Sequence, residues 1–170
     1  MRTLYRTART KGFTLIETLA AIFIITVGLI SGITLITSTV SFISLGSAKL
    51  TASYLAQEGI EIVRNIRDKN WIAGQEWDYG FTAGVFRLDY NDNSPNDFIS
   101  YDGLPLNIDS QGLYSYDAGA PTIFRRSVRI KPSDIDNEGN PIINILVLVE
   151  WDRLGETHKV EAREYLYNWK

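Results

Sequence analysis

Residues 13–45 form an almost continuous apolar segment in which Glu17 is the single ionisable side chain. A helix needs about 20 apolar residues to cross a bilayer core, so this segment is long enough to span a membrane. From Ser44 to Lys69 there is no proline, and apolar residues recur every three or four positions. This spacing predicts that the helix continues with one wet face and one buried face. The buried stripe is expected to comprise Leu50, Ala52, Leu55, Ala56, Gly59, Ile62, Val63 and Ile66.

Beyond residue 70 the pattern changes to the two-residue period of β-strands. The predicted strands are Ala83–Tyr90, Thr122–Ile130 (ended by Lys131-Pro132), Ile142–Trp151 and Thr157–Trp169, with short strands or loop edges at Leu104–Ile108 and Gly112–Tyr116. The continuous β-branched run from Ile142 predicts a central strand, and Asp152–Glu156 predicts a hairpin connection. The sequence therefore predicts an α+β fold, with the amphipathic part of the helix packed on an antiparallel sheet of about four strands.

The residues before the apolar segment are basic. Arg2, Arg6, Arg9 and Lys11 precede it, and no acidic residue occurs before Glu17. By the positive-inside rule, residues 1–12 are expected in the cytoplasm and the remainder outside it. An ordinary secretory signal would have a shorter apolar core and a small-residue cleavage site, and residues 39–42 (Thr-Val-Ser-Phe) match such a site poorly. A plain membrane anchor explains the length and the charges, but it does not explain Glu17.

Glu17 is the most informative residue of the segment. An acidic side chain in a membrane-spanning helix costs about 2.5–3.5 kcal/mol on insertion scales at the helix centre, and less near the interface. After Phe13 the first basic residue is Lys49, which lies roughly 48 Å beyond Glu17 along a helix. Glu17 therefore has no cationic partner within its own apolar segment. A partner would have to come from another molecule, and a free amine at Phe13, created by cleavage after Gly12, would supply one.

The sequence Lys11-Gly12-Phe13-Thr14-Leu15-Ile16-Glu17, followed by an apolar helix, resembles the cleavage and methylation signal of type IV prepilins and the related pseudopilins. The resemblance implies cleavage between Gly12 and Phe13 by a prepilin peptidase, followed by N-methylation of Phe13. It also implies that Glu17 pairs with the Phe13 amine of a neighbouring subunit during assembly. The α+β head predicted from periodicity is similar to the heads of pilins.

Four segments are expected from this reading. They are a cytoplasmic leader that is cleaved (1–12), a transmembrane and assembly helix (13–45), its amphipathic continuation (46–70) and an extracytoplasmic β-rich head (71–170). The precursor would be a single-pass protein of the cytoplasmic membrane, and the mature chain would lie in a pilus or pseudopilus. The implied partners are prepilin peptidase, other pilin or pseudopilin subunits, the inner-membrane assembly machinery and, before assembly, the lipid bilayer.

Composition limits the remaining functions. The chain has no cysteine, which excludes disulfides and thiol chemistry. Its net charge is -3, and removal of the four basic residues of the leader would make it -7, so charge indicates no nucleic-acid partner. There is no arrangement of catalytic residues, and no cofactor or metal site is predicted. The only histidine, His158, is expected on the surface of the last strand, and the four tryptophans, at 71, 77, 151 and 169, are expected in the core or at the helix junction.

Two oxygen-rich loops are candidate calcium sites. The segment Asp134-Ile135-Asp136-Asn137-Glu138-Gly139 resembles the opening of a calcium-binding loop, but Ile145 stands where a bidentate glutamate is required. The second loop contains Asp89, Asn91, Asp92, Asn93 and Asp97. Solvated turns are the default interpretation of both loops.

The favoured function is a structural subunit of a type IV pilus or a secretion pseudopilus, and not an enzyme. Gly28 and Gly32 form a G-x-x-x-G spacing that would permit close helix contact. Many major pilins that the sequence resembles carry a proline in this helix, whereas the first proline here is Pro95. Together with the large, loop-rich head, this favours a minor subunit. The alternative is a membrane-anchored extracytoplasmic binding module that is not assembled into a filament and is not cleaved at Gly12. A tethered hydrolase lacks candidate residues.

Overall fold

The computed structural model describes residues 12–117 and 119–168. One long helix is followed by eight strands. Their bounds are α1 Leu15–Ile72, β1 Gly84–Arg87, β2 Ile99–Ser100, β3 Asn107–Ile108, β4 Tyr114–Ser115, β5 Ala120–Pro121, β6 Phe124–Ile135, β7 Pro141–Arg153 and β8 Glu156–Tyr167, with a short 3₁₀ helix at Pro95–Asp97. The chain divides into two compact units, residues 1–45 and residues 46–170, and α1 contributes to both.

The described part of the first unit consists of the first half of α1. Every residue from 12 to 40 is exposed within the chain, although most of them are apolar. The threonine hydroxyls of this segment donate to carbonyl oxygens one turn earlier, for example Thr26 to Ile22 at 2.6 Å and Thr34 to Ile30 at 2.9 Å. Such back-bonding satisfies these hydroxyls inside the helix. The segment therefore offers an apolar surface whose threonines already have partners.

The second unit contains two antiparallel sheets. The larger has the strand order β2-β1-β6-β7-β8, and the smaller has the order β4-β3-β5. This confirms the predicted α+β class, with one strand more than the four expected in the main sheet and with a small additional sheet. The β7–β8 hairpin predicted at Asp152–Glu156 is also present. Its two central residues, Leu154 and Gly155, have φ of 53° and 82°, as a two-residue type I′ turn requires.

The second half of α1 packs on one face of the main sheet, here called the inner face. The predicted stripe is buried from Ala52 to Ile66. Leu50 was predicted to belong to it, but this residue is 57% exposed. At about 100° per residue it lies roughly 200° around the helix from Ala52, on the opposite side. At Gly59 the helix comes so close to the sheet that an added Cβ would lie 3.1 Å from Val147.

Arg126 links the helix to the sheet. Its side chain is 0% exposed, although it carries a guanidinium group. It donates to the carbonyl oxygens of Leu55 (3.1 Å) in α1 and Leu88 (2.7 Å) after β1, and Nη1 lies 3.3 Å from Glu58 Oε1. A buried charge is tolerated when it is paired and hydrogen-bonded in this way. One side chain of β6 thus joins two other segments of the head.

The bounds of two predicted strands need correction. The strand at Thr122–Ile130 does not end at Lys131-Pro132. It continues to Ile135 through a register shift between Lys131 and Asp134, because such an irregularity accommodates a proline. The strand expected at Ala83–Tyr90 is limited to Gly84–Arg87.

The burial of β7 also differs from the prediction. The apolar run at Ile142–Trp151 lies between β6 and β8, as a central strand should. However, full burial alternates along most of this strand, and Leu146 and Leu148 on the other face are only half-buried. The reason is that α1 covers the inner face alone. On the second face, Leu146 lies between Arg129 and Arg163, and Leu148 lies between Ser127 and Glu161.

Replacing Arg126 by methionine should lower the free energy of unfolding by about 2–4 kcal/mol, because it leaves Glu58 unpaired and two carbonyl oxygens without these donors. The matched control is Arg125→Met. Arg125 is a neighbour on the same strand whose ion pair with Asp152 at 2.9 Å is partly exposed, so the loss should be below about 1 kcal/mol. Denaturant unfolding of the full chain in detergent, followed by tryptophan fluorescence, would measure both. Equal losses for the two variants would contradict this account of Arg126.

Candidate processing and assembly site

The segment Gly12–Glu17 contains the start of α1. Gly12, Phe13 and Thr14 are not helical, and the helix begins at Leu15. The backbone N–H of Glu17 donates to Thr14 Oγ1 at 3.3 Å, and the N–H of Thr18 donates to the Thr14 carbonyl at 3.1 Å. Thr14 is therefore the N-cap of the helix. This role was not predicted from the sequence, although Thr14-x-x-Glu17 has the spacing of a capping box and would have indicated it.

Glu17 lies in the first turn of α1. A carboxylate is favoured there by the partial positive charge of the helix N-terminus. Among residues 12–117 and 119–168, Glu17 forms no ion pair within 4 Å. Within the described chain, the carboxylate of Glu17 is thus left to solvent, lipid or a second molecule.

The glycines of the G-x-x-x-G spacing are open to the outside. A Cβ added at Gly28 or Gly32 would meet no atom within 4 Å apart from the helix itself. Two glycines one turn apart leave a shallow groove along a helix. Such a groove lets another helix approach closely.

The same segment matches a known signal. Residues 7–33 match the family model described as the prokaryotic N-terminal methylation motif, which is the signal of type IV prepilins. The match covers less than a fifth of the chain, so it concerns the N-terminal signal and not the head. Neither the curated proteins nor the solved structures that were compared contain a match to this chain.

Within the described residues, α1 is long and apolar enough to cross a membrane. The motif and this helix support a type IV pilin-like precursor that spans the inner membrane once. The motif also points to a structural subunit. The motif implies processing by a peptidase and assembly with other pilins.

The loop between β6 and β7 is a hairpin turn that is stabilised by the carboxylate of Asp136, a residue of the loop itself. Asp136 accepts hydrogen bonds from the N–H of Glu138 (2.9 Å), the N–H of Asn140 (2.8 Å) and the side-chain amide of Asn140 (3.0 Å). The Asn140 amide and these backbone donors lower the pKa of Asp136 below its usual value. Ile145, at the last position of the supposed calcium loop, is fully buried in the core. This geometry is that of a turn and not of a calcium-binding loop.

The second oxygen-rich loop also directs its carboxylates toward its own backbone. Asp97 accepts from the N–H groups of Asn93 and Ser94, both at 2.9 Å, which caps the short 3₁₀ helix. Asp92 accepts from the N–H of Asp89 at 2.8 Å, and its pKa is raised, chiefly by burial. Among the residues that the structure describes, no group of three or more His, Asp or Glu side chains is placed to hold a metal ion.

The aromatic predictions are confirmed at three positions. Trp77 and Trp151 are buried, and Trp71 stands at the end of α1 with the Arg67 guanidinium 4.5 Å from its ring centre. Trp169 lies outside the described residues. His158 is less exposed than expected, because its ring stacks on Trp151 with the two centres 5.5 Å apart.

Tyr116 connects the second loop to the core. Its backbone N–H donates to Asp89 Oδ2 at 2.9 Å, and its hydroxyl donates to the carbonyl oxygen of Arg126 at 2.6 Å. Burial raises the pKa of Tyr116 to about 12. A neutral phenol is therefore part of the folded head.

This shift in pKa predicts an alkaline weakening of the fold. In the unfolded chain Tyr116 should lose its proton near pH 10, and in the folded chain near pH 12, so stability falls as pH rises between these values. Tyr116 should contribute about 2–3 kcal/mol to this loss of unfolding free energy. Tyr116→Phe should therefore show a flatter decline of unfolding free energy from pH 10 to pH 12 in denaturant titrations of the full chain. Tyr79→Phe, which alters an exposed ring, is the control, and the same steep decline in both variants would contradict the assignment.

Proposed function

We propose that this chain is a minor subunit of a type IV pilus or of a type II secretion-like pseudopilus. In this proposal the precursor is cleaved between Gly12 and Phe13, Phe13 is N-methylated, and Glu17 pairs with the Phe13 amine of a neighbouring subunit. The observation that carries the proposal is the apolar helix surface, which is uncovered by its own chain from residue 12 to residue 40 and carries one acid in its first turn.

The uncovered surface requires a cover. Soluble monomers rarely expose contiguous apolar patches larger than a few hundred Å², and here the large apolar side chains from Phe13 to Ile43 are all exposed. Lipid provides this cover for the precursor, whose helix is long enough to span a bilayer. Once the subunit leaves the membrane, the helices of neighbouring subunits provide it. A permanent anchor would need the lipid alone and would give Glu17 no role.

The geometry at Gly12 suits cleavage. A protease binds its substrate in an extended form, and Gly12 and Phe13 lie just before the helix begins. The N-cap at Thr14 defines that beginning, so the bond to be cut stays outside the helix. Gly12 has no side chain, and a Cβ built there would meet no atom within 4 Å. Its backbone can therefore approach a catalytic cleft closely.

The proposed charge pair suits the end of the helix. Cleavage would leave a cationic amine at Phe13, two residues before the first helical residue. This amine adds to the partial positive charge of the helix N-terminus, so an acid from outside is strongly favoured there. In a bundle of parallel helices, Glu17 of a neighbour shifted along the axis can occupy this position. In apolar surroundings such a pair is worth more than in water.

The assignment as a minor subunit rests on the composition of α1 and on the irregular surface of the head. The helix of the described residues contains no proline, and it includes three open glycines at positions 28, 32 and 46. The head carries a second small sheet and long connections between residues 73 and 123. A head with this much irregular surface is better suited to a specialised position than to a uniform repeat.

Cleavage can be tested by mass spectrometry of the chain expressed with and without a prepilin peptidase. The mature chain should begin with N-methyl-Phe13 and lack residues 1–12. Gly12→Val should prevent cleavage, because a β-branched side chain would meet the walls of the cleft. Gly28→Val, which makes the same change within the helix, should be processed normally. A full-length chain beginning at Met1 in the presence of active peptidase would refute the proposal.

Glu17→Gln tests the charge pair separately. Membrane insertion and cleavage should be unchanged, whereas the amount of the chain in sheared filaments should fall at least about tenfold, since losing one member of a buried charge pair costs about 2–5 kcal/mol. The control is Thr18→Val in the same turn, whose hydroxyl bonds only to the Thr14 carbonyl of its own helix. Incorporation of the Glu17 variant at the level of the control would rule out the assigned role.

A further inference from the structure

The face of the main sheet opposite α1, here called the outer face, carries an ordered set of polar and aromatic side chains. The strand register places Arg129 of β6 and Arg163 of β8 on either side of Leu146 of β7. In the next row, Lys131 and Tyr165 lie on either side of Asn144. Because neighbouring strands are about 4.8 Å apart, the outer members of each row have their backbones about 10 Å apart. This spacing leaves room for a small group between them.

Three cations of this face form no direct ion pair within the described residues, although Lys131 interacts with Asp134 and Arg163 with Glu161 at longer range. Among the described residues, Arg129, Lys131 and Arg163 form no ion pair within 4 Å, and they line a hollow of about 90 Å³ together with Asn144 and Leu146. The other end of the same face is different. There Arg125 pairs with Asp152 at 2.9 Å and Lys159 pairs with Glu161 at 2.8 Å. In a chain of net charge -3, three neighbouring cations without a direct ion pair favour an anionic group as ligand.

A second hollow, of about 190 Å³, adjoins the first, and Asn144 lines both. Tyr165 and Tyr167 form one side of it, and they are 43% and 42% exposed. Being two residues apart on β8, they present their rings on the same face. Exposed tyrosines combine an apolar ring with a polar hydroxyl, so they suit a ligand that has both apolar and polar surfaces.

The second hollow also contains oriented acceptors. Asp134 accepts from the Asn144 amide at 3.0 Å and from the N–H of Ile135 at 3.1 Å. Asp136 is held by the turn described above. The pKa values of both carboxylates are lowered, for Asp134 chiefly by the Asn144 amide and for Asp136 chiefly by the Asn140 amide. Both groups are therefore ionised acceptors in fixed positions. Binding of a ligand would not incur the entropic cost of ordering these side chains.

We propose that this outer-face site, made of Arg129, Lys131, Asp134, Asn144, Arg163 and Tyr165, binds an acidic saccharide. The acidic group of the sugar lies between Arg129 and Arg163, and the ring lies against Tyr165. Sugar hydroxyls donate to Asp134 and to the Asn144 side-chain oxygen. Both hollows are small, so the site recognises one or two sugar units at a surface and does not enclose a ligand.

The alternatives fit less well. A DNA strand has no free sugar hydroxyls along its length to donate to Asp134 and Asp136, so its phosphates would face these ionised carboxylates without a compensating hydrogen bond. A neutral saccharide would leave three cations without a direct ion pair, and a free phosphate would make no use of the tyrosines. Only an acidic saccharide uses the cations, the rings and the carboxylates together. The site lies within residues 46–170, and the inference does not depend on filament assembly.

The experiment is a calorimetric titration of the full chain in detergent with a short oligogalacturonate. The wild type should bind, and the double variant Arg129→Ala/Arg163→Ala should lose at least tenfold in affinity. Tyr165→Ala should also weaken binding, because the ring contact is lost. Arg125→Ala is the control, since Arg125 is on the same strand and the same face but is paired with Asp152, and it should bind as the wild type does. Circular dichroism would verify that each variant is folded.

Two further probes decide between ligand classes. A neutral cello-oligosaccharide should bind at least tenfold more weakly than oligogalacturonate, and so should oligothymidylate. Tighter binding of oligothymidylate would overturn the proposal in favour of a nucleic acid, and equal binding of the neutral sugar would remove the role of the cations. Absence of oligogalacturonate binding, or an equal loss in the Arg125 control, would also overturn it.

Discussion

The structure depends on one constraint, which is that no other described part of the chain covers the first half of α1. Its threonine hydroxyls are satisfied by the helix itself, but its apolar side chains from Phe13 to Ile43 are not shielded by any other described segment. Water is a poor environment for such a surface, so lipid or other helices must enclose it. The head has to fold without help from this segment, and it does so by means of the second half of the same helix.

The head meets this requirement by packing and by one buried cation. From Ala52 to Ile66 the helix presents a narrow apolar stripe, and Gly59 allows its backbone to approach Val147 closely. Arg126 then joins α1, β6 and the segment after β1 through two carbonyl oxygens and Glu58. In a chain without cysteine, such a link takes over part of the stabilising role that a disulfide has in many exported domains. The inner face of the sheet therefore serves stability, and the outer face carries both ion-paired charges and the three cations that form no direct ion pair.

Periodicity predicted the elements that are long and regular. The helix, the strands β6 to β8 and the hairpin at Leu154-Gly155 follow from apolar spacing and turn residues, which act locally. The continuation of β6 past Pro132 could not be predicted, because it depends on pairing with β7, which compensates for a proline. The burial of Arg126 was equally hidden, since its partners are distant in sequence. At the candidate site, the motif leads to the proposed roles of Gly12, Phe13 and Glu17, whereas the cap at Thr14 was not predicted. The proposed outer-face site could not be predicted, because it depends on the register of three strands.

The back-bonded threonines have a consequence for the choice of neighbours in the proposed filament. Hydroxyls that already serve their own helix, such as those of Thr26 and Thr34, offer little to an adjacent helix. In the proposed filament, the first halves of neighbouring α1 helices would then recognise one another only by apolar shape and by a single acid, which many different chains can share. Helices of this kind would be interchangeable. A mixed polymer can therefore accept subunits with unrelated heads, and the order in which they enter must be decided by the heads or by the machinery that loads them.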